Sequence, residues 1–434
     1  MMRGKGIYDA LPVWAQTWAV NWQSRQNYQA RYGGVFQHRL TRLAANERKS
    51  RDQLLTEQAQ AVATLKEYAQ RRVPFYQQQD GWPVLDKQTV ATQPEQFLSE
   101  EYRPASLLTA HTSGTTGSPL VVRFTKSCHQ TEMAFRWRHR AWAGVPFLSS
   151  SAYISGHAVV PPTQMVPPFW RWDKIEQRLL MSSYHLTPAN LPAYAAALAE
   201  YRPEFVHGYP SSLYLLAGSV LAGAAGLANG WRPRAVFTAS ETLLDFQRTA
   251  IEQAFGAKVF NWYGNTEMTA NIVECAAGNL HCRTDYGLIE LLEDGTMVLT
   301  GLNNWAMPLI RYRVGDVARW RAGDCACGMA FPMVERVEGR QEDYVRTPDG
   351  RRVGRLDHLF KDVRHVREAQ IVQKRVDEIV CRVVRTAGFE AADEERVRQE
   401  ARQRLGDGVA VRFEFVEQIE RTKNGKFRFI VSEL

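Results

Sequence analysis

The sequence predicts an α/β fold: a large N-terminal domain with a helical extension, then a small mobile α+β domain. Three observations predict it. Short apolar runs alternate with amphipathic stretches between residues 104 and 335, as strands alternate with crossover helices. Residues 10–72 carry few prolines and place apolar side chains at helical spacing. After Gly339-Arg340 the texture changes to short strands around one charged amphipathic stretch.

In the N-terminal stretch, Leu54, Leu55, Ala59, Val62, Leu65 and Tyr68 share a helical period. Val73-Pro74 ends it, because proline disfavours helix at the residue before it. Strands are expected at 121–124, 235–237, 257–260 and 297–300, with helices at 190–201 and 242–255. The C-terminal part is expected to form strands at 369–373, 378–385 and 409–416 and a helix at 391–405. The domain reading follows: 1–338, with 1–73 as the helical extension, and 339–434.

Composition narrows the class. The chain has 434 residues and 45% apolar residues, so it can bury large cores. Its 23% of charged residues does not suggest disorder. The net charge of +8 is spread from Arg25 to Arg428. That fits a solvated surface able to steer small anions, not a nucleic-acid-binding tail. Six cysteines in a chain this long make no disulfide scaffold. The N-terminus starts basic but lacks a continuous apolar core, so no signal peptide is expected. Residues 208–231 carry no charge, yet their Gly, Ala and Ser content fits a buried helix better than a membrane span. A cytoplasmic protein without stable membrane insertion is expected.

The strongest local signal is Thr112-Ser113-Gly114-Thr115-Thr116-Gly117-Ser118-Pro119, ahead of an expected strand. Glycine lets the backbone approach a phosphate, and hydroxyls and amides can bond its oxygens. It is not a Walker A loop, which ends in Gly-Lys-Ser/Thr. Four further segments follow: Trp262-Tyr263-Gly264-Asn265-Thr266-Glu267, Arg311-Tyr312-Arg313-Val314-Gly315-Asp316, Gly339-Arg340-Gln341-Glu342-Asp343 and Arg421-Thr422-Lys423-Asn424-Gly425-Lys426. Each is weak alone, but chance does not readily give this order and spacing.

Together they resemble the adenylate-forming superfamily of acyl-CoA synthetases, adenylation domains and luciferases. The similarity is greatest to phenylacetate–CoA ligase and its capsular-polysaccharide relatives. It runs from about Pro74 to the C-terminus and includes His207-Gly208-Tyr209-Pro210-Ser211 and Pro308-Leu309-Ile310.

The resemblance implies ATP-dependent activation of an aryl or arylacetic acid to an acyl-AMP, then transfer to coenzyme A. Amide formation and adenylylation of a small-molecule acceptor are the alternatives. Thr112, Ser113, Gly114, Thr115, Thr116 and Gly117 would hold the β- and γ-phosphates. Tyr263 and Gly264, with Ser240 and Glu241, would border adenine. Thr266 would bind the α-phosphate and Glu267 would hold Mg²⁺, a hard cation suited to carboxylate oxygen. Asp316 would accept from both ribose hydroxyls, because a carboxylate is acceptor-only. Arg340 would add positive charge near the ribose. Lys426 would be the catalytic cation, stabilising charge gathered at the transferring phosphorus. Glu342, at a slot often held by Asp, and Asp343 would form a hinge.

Cys275, His281, Cys325 and Cys327 offer three thiolates and one imidazole, a set suited to structural Zn²⁺. The spacing lacks the common CxxC pair, Cys282 is a rival ligand, and some members of the branch carry zinc at similar positions.

The sequence departs from the family after Gly117, where Ser118-Pro119-Leu120 replaces the frequent x-Pro-Lys. Tyr153, His157, His207, Tyr209 and Tyr214 are candidate walls of the acyl pocket, or ordinary core. The run Arg136-Trp137-Arg138-His139-Arg140 reads as a solvated helix face. The expected partners are ATP, a small carboxylic acid and either coenzyme A or an amine, with no nucleic acid. A homodimer is compatible with the sequence.

Overall fold

The computed structural model describes residues 5–112, 120–161, 163–223, 227, 230–338, 344–350, 352–353, 356–360, 363, 365–422 and 427–434. The N-terminal stretch forms α1 (Lys5–Ala10), α2 (Val13–Tyr32), α3 (Phe36–Ala45) and α4 (Arg51–Arg72). Ser50 starts α4 with a capping box: its hydroxyl accepts from Gln53 N, and the Gln53 side chain accepts from Ser50 N. Amides left open by the first turn are thereby satisfied. Val73 ends α4 as expected, and Pro74 opens α5 (Pro74–Gln77), where a missing amide costs nothing. Next come α6 (Lys87–Thr92) and a two-stranded antiparallel ribbon, β1 (Leu108–His111) and β2 (Val121–Phe124). Helix α7 (Lys126–Trp142) follows, capped by Thr125.

The main sheet has twelve strands among the described residues. In chain order they are β3 (Ser151–Ser155), β4 (Trp170–Asp173), β5 (Arg178–Ser182), β6 (Phe205–Gly208), β7 (Ala235–Ala239), β8 (Val259–Gly264), β9 (Asn271–Glu274), β10 (Leu280–Cys282), β11 (Gly287–Leu291), β12 (Thr296–Gly301), β13 (Tyr312–Arg321) and β14 (Met333–Glu338). Their spatial order is 11-12-13-14-10-9-8-7-6-3-5-4. Strands β5, β3, β6, β7 and β8 run parallel, and the rest pair antiparallel. Helices α8 (Leu191–Tyr201), α9 (Pro210–Leu221) and α10 (Asp245–Phe255) connect the parallel strands.

Both faces of the parallel part are buried, as crossover helices require. Ile154, Val206, Val236 and Val259 pack among α8, α9 and α10. Phe205, Phe237 and Phe260 point the opposite way, into a core shared with α7 and the N-terminal helices. This alternation is the two-residue period of a strand. The uncharged stretch at 208–231 contributes α9, which is a packed core helix. No helix among the described residues is long and apolar enough to cross a membrane.

The small C-terminal unit contains a ribbon, β15 (Val345–Arg346) and β16 (Arg352–Val353). It also holds a four-stranded sheet built from β17 (Val366–Arg375), β18 (Glu378–Arg385), β19 (Ala410–Phe415) and β20 (Ile430–Ser432), in the order 19-18-17-20. Helix α11 (Ala391–Leu405) covers it, burying Val397, Ala401 and Leu405 against Ile371, Ile379, Cys381 and Val383.

Three expectations need correction. The helix expected at 242–255 begins at Asp245, where the Gln247 side chain accepts from Leu244 N and fixes the start. The strand expected at 257–260 runs instead over Val259–Gly264, because its partners on β7 and β9 begin and end there. The basic run on α7 is not a solvated face. Trp137, Arg138, His139 and Arg140 are buried, Arg138 forms a bidentate pair with Asp285, and the His139 ring meets Glu274 O at 2.9 Å. Four large side chains packed beneath α3 and the sheet outweigh their polarity once each head group finds a partner.

Candidate functional site

The parallel strands β3, β6, β7 and β8 end along one edge of the sheet, at Ser155, Gly208, Ala239 and Gly264. Ligands of open α/β sheets bind beyond such carboxyl ends. Among the described residues, the Tyr263–Glu267 turn and Ser240–Glu241 follow the strand ends at this edge, and Asp316 is bonded to the first of them.

The chain leaves β8 through a tight turn. The Asn265 amide group donates to Thr269 Oγ1 at 2.7 Å, and Asn265 Oδ1 accepts from Thr269 N at 2.9 Å. Glu267 is buried within this turn and Thr266 is half-buried. Two hydrogen bonds tie the turn to β13, about fifty residues further on. Tyr263 Oη donates to Asp316 Oδ2 at 2.5 Å, and Tyr312 Oη donates to Glu267 Oε1 at 2.9 Å. Spacing alone assigns Tyr312 no role. It sits in the Arg311–Asp316 segment, but its bond to Glu267 depends on strand pairing that spacing cannot reveal.

Close backbone approach also shapes the turn. A Cβ on Gly301 of β12 would lie 2.6 Å from Met268 O and 3.1 Å from the Thr269 Cα. Gly301→Ala should therefore displace the Glu267 turn and lower stability by about 1–3 kcal/mol. Urea unfolding checks this; an unchanged midpoint would contradict the contact.

Ser240 has φ +74°, and Met268 and Arg311 have +56° and +55°. Such left-handed conformations are costly for residues with a Cβ, on the order of 1–3 kcal/mol, and cluster where a backbone must aim functional groups. At Ser240 the turn carries Glu241 across α9. Glu241 Oε2 accepts from Ser211 N at 3.0 Å, and Oε1 accepts from Phe427 N at 2.5 Å. Burial pushes the Glu241 carboxyl above its ordinary range, and these two amides oppose the shift. The contact joins the main sheet edge to the residue that follows Lys426 in sequence.

Thr112 is buried at the mouth of the expected phosphate loop. Its backbone N–H donates to Leu120 O, and its hydroxyl accepts from Leu120 N, both at 3.0 Å. Ser113, Gly114, Thr115, Thr116 and Gly117 lie outside the described residues, as do Arg340, Glu342, Asp343 and Lys426.

Next to this edge, Tyr153 and His207 are cross-strand partners with ring centroids 4.8 Å apart, and His157 lies 6.5 Å from Tyr153. Arg140 donates to Tyr153 Oη at 2.5 Å. Burial, reinforced by Arg140, holds His207 well below the usual histidine range. His157 is exposed to solvent. The buried His207 ring is neutral near pH 7. His207 Nδ1 is buried without a hydrogen-bond partner among the described residues. Tyr214 instead packs edge-on against Phe246 between α9 and α10, as ordinary core.

The cysteine–histidine set converges away from that edge. The ligand atoms of Cys275, His281, Cys325 and Cys327 all lie within 4.8 Å of one another. Cys275 and Cys325 sulfurs are 3.6 Å apart, and Cys327 Sγ is 3.3 Å from His281 Nε2. His281 Nδ1 meets Phe331 O at 3.1 Å, which leaves Nε2 free to ligate, and Asn279 donates to Cys325 Sγ at 3.0 Å. Such outer contacts orient metal ligands. Cys282 points the other way, into a separate core with Ile272 and Val334, so it is not a rival ligand. Alternation along β10 explains this.

The comparisons agree with this architecture. Residues 345–433 match the family described as CapK C-terminal domain. Protein CapK of Staphylococcus aureus is 26% identical over 366 residues, which span 81% of this chain and 80% of CapK. Phenylacetate-coenzyme A ligase of Thermus thermophilus is 25% identical over 347 residues, 68% of this chain and 72% of the ligase. Among solved structures, 2-hydroxyisobutyryl-CoA ligase in the postadenylation state, in complex with R3-HIB-AMP, gives a TM-score of 0.64 at 19% identity, covering 86% of this chain and 89% of the ligase.

The relatives support the resemblance to the adenylate-forming superfamily, and the fold is that of its solved members. Within it the similarity is to phenylacetate–CoA ligase and to CapK.

Proposed function

We propose that this chain is an adenylate-forming ligase that activates a carboxylic acid with ATP and then passes the acyl group to coenzyme A. The observation that carries this reading is the pair of hydrogen bonds joining the Tyr263–Glu267 turn to Asp316 and Tyr312. They bring an aromatic face, a carboxylate suited to ribose hydroxyls and a buried carboxylate suited to a cation to one strand edge.

In the first step a substrate carboxylate oxygen attacks the α-phosphorus of ATP. A P–O bond forms there, the bond to the bridging oxygen breaks, and pyrophosphate leaves. Tyr263 and Gly264, with Ser240 and Glu241, border adenine, while Asp316 accepts from the ribose hydroxyls. Thr266 bonds the α-phosphate, and Thr112 through Gly117 hold the β- and γ-phosphates. Glu267 supplies an oxygen ligand to Mg²⁺, which when bound screens phosphate charge. Arg340 and Lys426 add positive charge, Lys426 at the reacting phosphorus. In the second step a thiol attacks the acyl carbon and AMP leaves.

The bond from Phe427 N to Glu241 supports closure of a C-terminal domain, 339–434, over a larger domain, 1–338. Glu342 and Asp343 serve as the hinge. Tyr153, His157 and His207 line the acyl side. An aryl or arylacetic acid fits the aromatic faces of Tyr153 and the neutral His207 ring. The Cys275, His281, Cys325 and Cys327 set fits a structural Zn²⁺, closed by four protein ligands with no place left for substrate. It would clamp the β9–β10 turn to the chain after β13, and so steady the strand that carries Asp316.

Pyrophosphate release against a panel of carboxylic acids, with and without coenzyme A, tests the reading. Acid-dependent release that rises with coenzyme A supports it. Stoichiometric consumption of an amine with no response to coenzyme A would make the enzyme an amide ligase instead. Asp316→Ala should raise the KM for ATP roughly 10- to 100-fold, since hydrogen bonds to a charged group contribute about 1.5–3 kcal/mol. An unchanged KM would remove Asp316 from the nucleotide site.

A further inference from the structure

Helix α2 buries polar side chains while leaving three tryptophans exposed. Its buried residues are Gln16 and Ser24. Gln16 Oε1 accepts from Arg171 Nε at 2.9 Å, Ser24 donates to Asp173 at 2.8 Å, and Tyr32 donates to Glu176 at 2.7 Å. Asn21 bonds the β4 edge on both sides, donating to Trp172 O at 2.7 Å and accepting from Lys174 N at 2.8 Å. Gln16 and Ser24 thus hold the helix on its inner face, and Asn21 and Tyr32 tie the side nearer the tryptophans to the β4–β5 region.

The outer face carries Trp14, Trp18 and Trp22, which are 75%, 66% and 53% exposed. At 100° per residue these three and Arg25 fall within about 80° of the helix circumference. Ile7 ahead of α2 is exposed, as are Met165 and Val166. The Arg171 guanidinium that binds Gln16 also donates to Gln164 at 2.8 Å, which ties the loop carrying Met165 and Val166 to the inner side of the helix. Three large aromatic side chains exposed along one helix face are uncommon on a protein surface without a partner.

Charge selects the partner. Helix α2 has no acidic residue across its twenty positions. Arg25 and the exposed Lys174 make no ion pair among the described residues. Asp173 and Glu176 are buried and bound to Arg178, and Asp9 is the acid nearest the helix in sequence. A second copy of the chain would bring the same cations to the contact with almost no acid to neutralise them. Tryptophan beside arginine and lysine instead suits the water–lipid boundary, where the ring sits among headgroups and the cation meets phosphate.

We propose that the outer face of α2, with Trp14, Trp18, Trp22 and Arg25, docks on an anionic lipid bilayer. The protein lies on the surface without crossing it. The inner polar clamp holds the tryptophans rigidly outward, so binding needs no rearrangement of the fold.

Co-sedimentation of the full chain with vesicles tests this, using phosphatidylglycerol and phosphatidylcholine in equal parts against phosphatidylcholine alone. Wild-type protein should pellet with the anionic vesicles, bind the neutral ones at least tenfold more weakly, and release in 1 M salt, where the screening length is about 3 Å. The triple variant Trp14→Ser, Trp18→Ser, Trp22→Ser should lose at least tenfold in partitioning while keeping acid-dependent pyrophosphate release. Should the triple variant misfold, the double variant Arg25→Glu, Lys174→Glu carries the test with the same expected loss. Wild-type protein that stays in the supernatant overturns the proposal, as does binding that the substitutions leave unchanged. A wild-type dimer in light scattering that the triple variant dissociates would assign the face to a second copy and also overturn it.

Discussion

Lys426→Ala should lower acid-dependent pyrophosphate release by about 10²–10³-fold, the usual cost of removing one preorganised charge donor from a transition state. Transfer from a preformed acyl-AMP to the acceptor should fall far less. The asymmetry follows from where charge gathers. In the first step phosphorus takes on an entering carboxylate while pyrophosphate departs, and a positioned ammonium offsets that negative charge. In the second step the reacting centre is the acyl carbon, and AMP leaves without further attack at phosphorus. Single-turnover assays of the two steps separate the effects. Equal losses in both would make Lys426 a structural residue. Phe427, next in sequence, already reaches Glu241 through its amide, so Glu241→Ala should also weaken the first step by loosening the closed contact.

Cys325→Ser should reduce bound zinc from one per chain to near zero and lower the melting temperature on the order of 10 °C. The four ligand atoms already sit within 4.8 Å of one another, so little ordering remains for the metal to impose. Without it, two buried sulfurs, a half-buried one and an imidazole face each other with no common partner. Cys282→Ala provides the contrast. It removes a side chain from a neighbouring core that lies outside the ligand set, so zinc content should stay at one. Purified wild-type protein without stoichiometric zinc would contradict the assignment outright.

The sequence carried much of this because the chemistry leaves local marks. The Tyr263–Glu267 turn and Asp316 were legible as types of residue at types of place, while most of the hydroxyl–glycine run lies outside the described residues. The four candidate ligands were legible as donors, and their convergence follows from β10 lying between β9 and β14. What the sequence could not carry depends on pairing across long separations. Tyr312 reaches Glu267 only because β13 returns beside the β8 turn, and Gly301 matters only because β12 passes within contact of Met268. The basic run on α7 read as solvated because its counter-charge, Asp285, lies far along the chain. The polar inner face of α2 was hidden for the same reason: Gln16 and Ser24 acquire meaning only once Arg171 and Asp173 stand opposite them.

A crystal structure with a non-hydrolysable ATP analogue, Mg²⁺ and a carboxylic acid tests the central claim most directly. The account predicts one nucleotide touched by separate stretches of chain: Thr115 at the phosphates, Glu267 at the cation and Asp316 at the ribose. A nucleotide bound away from the β7–β8 edge, or one that reaches Asp316 while Thr115 and Glu267 remain beyond contact, would contradict it.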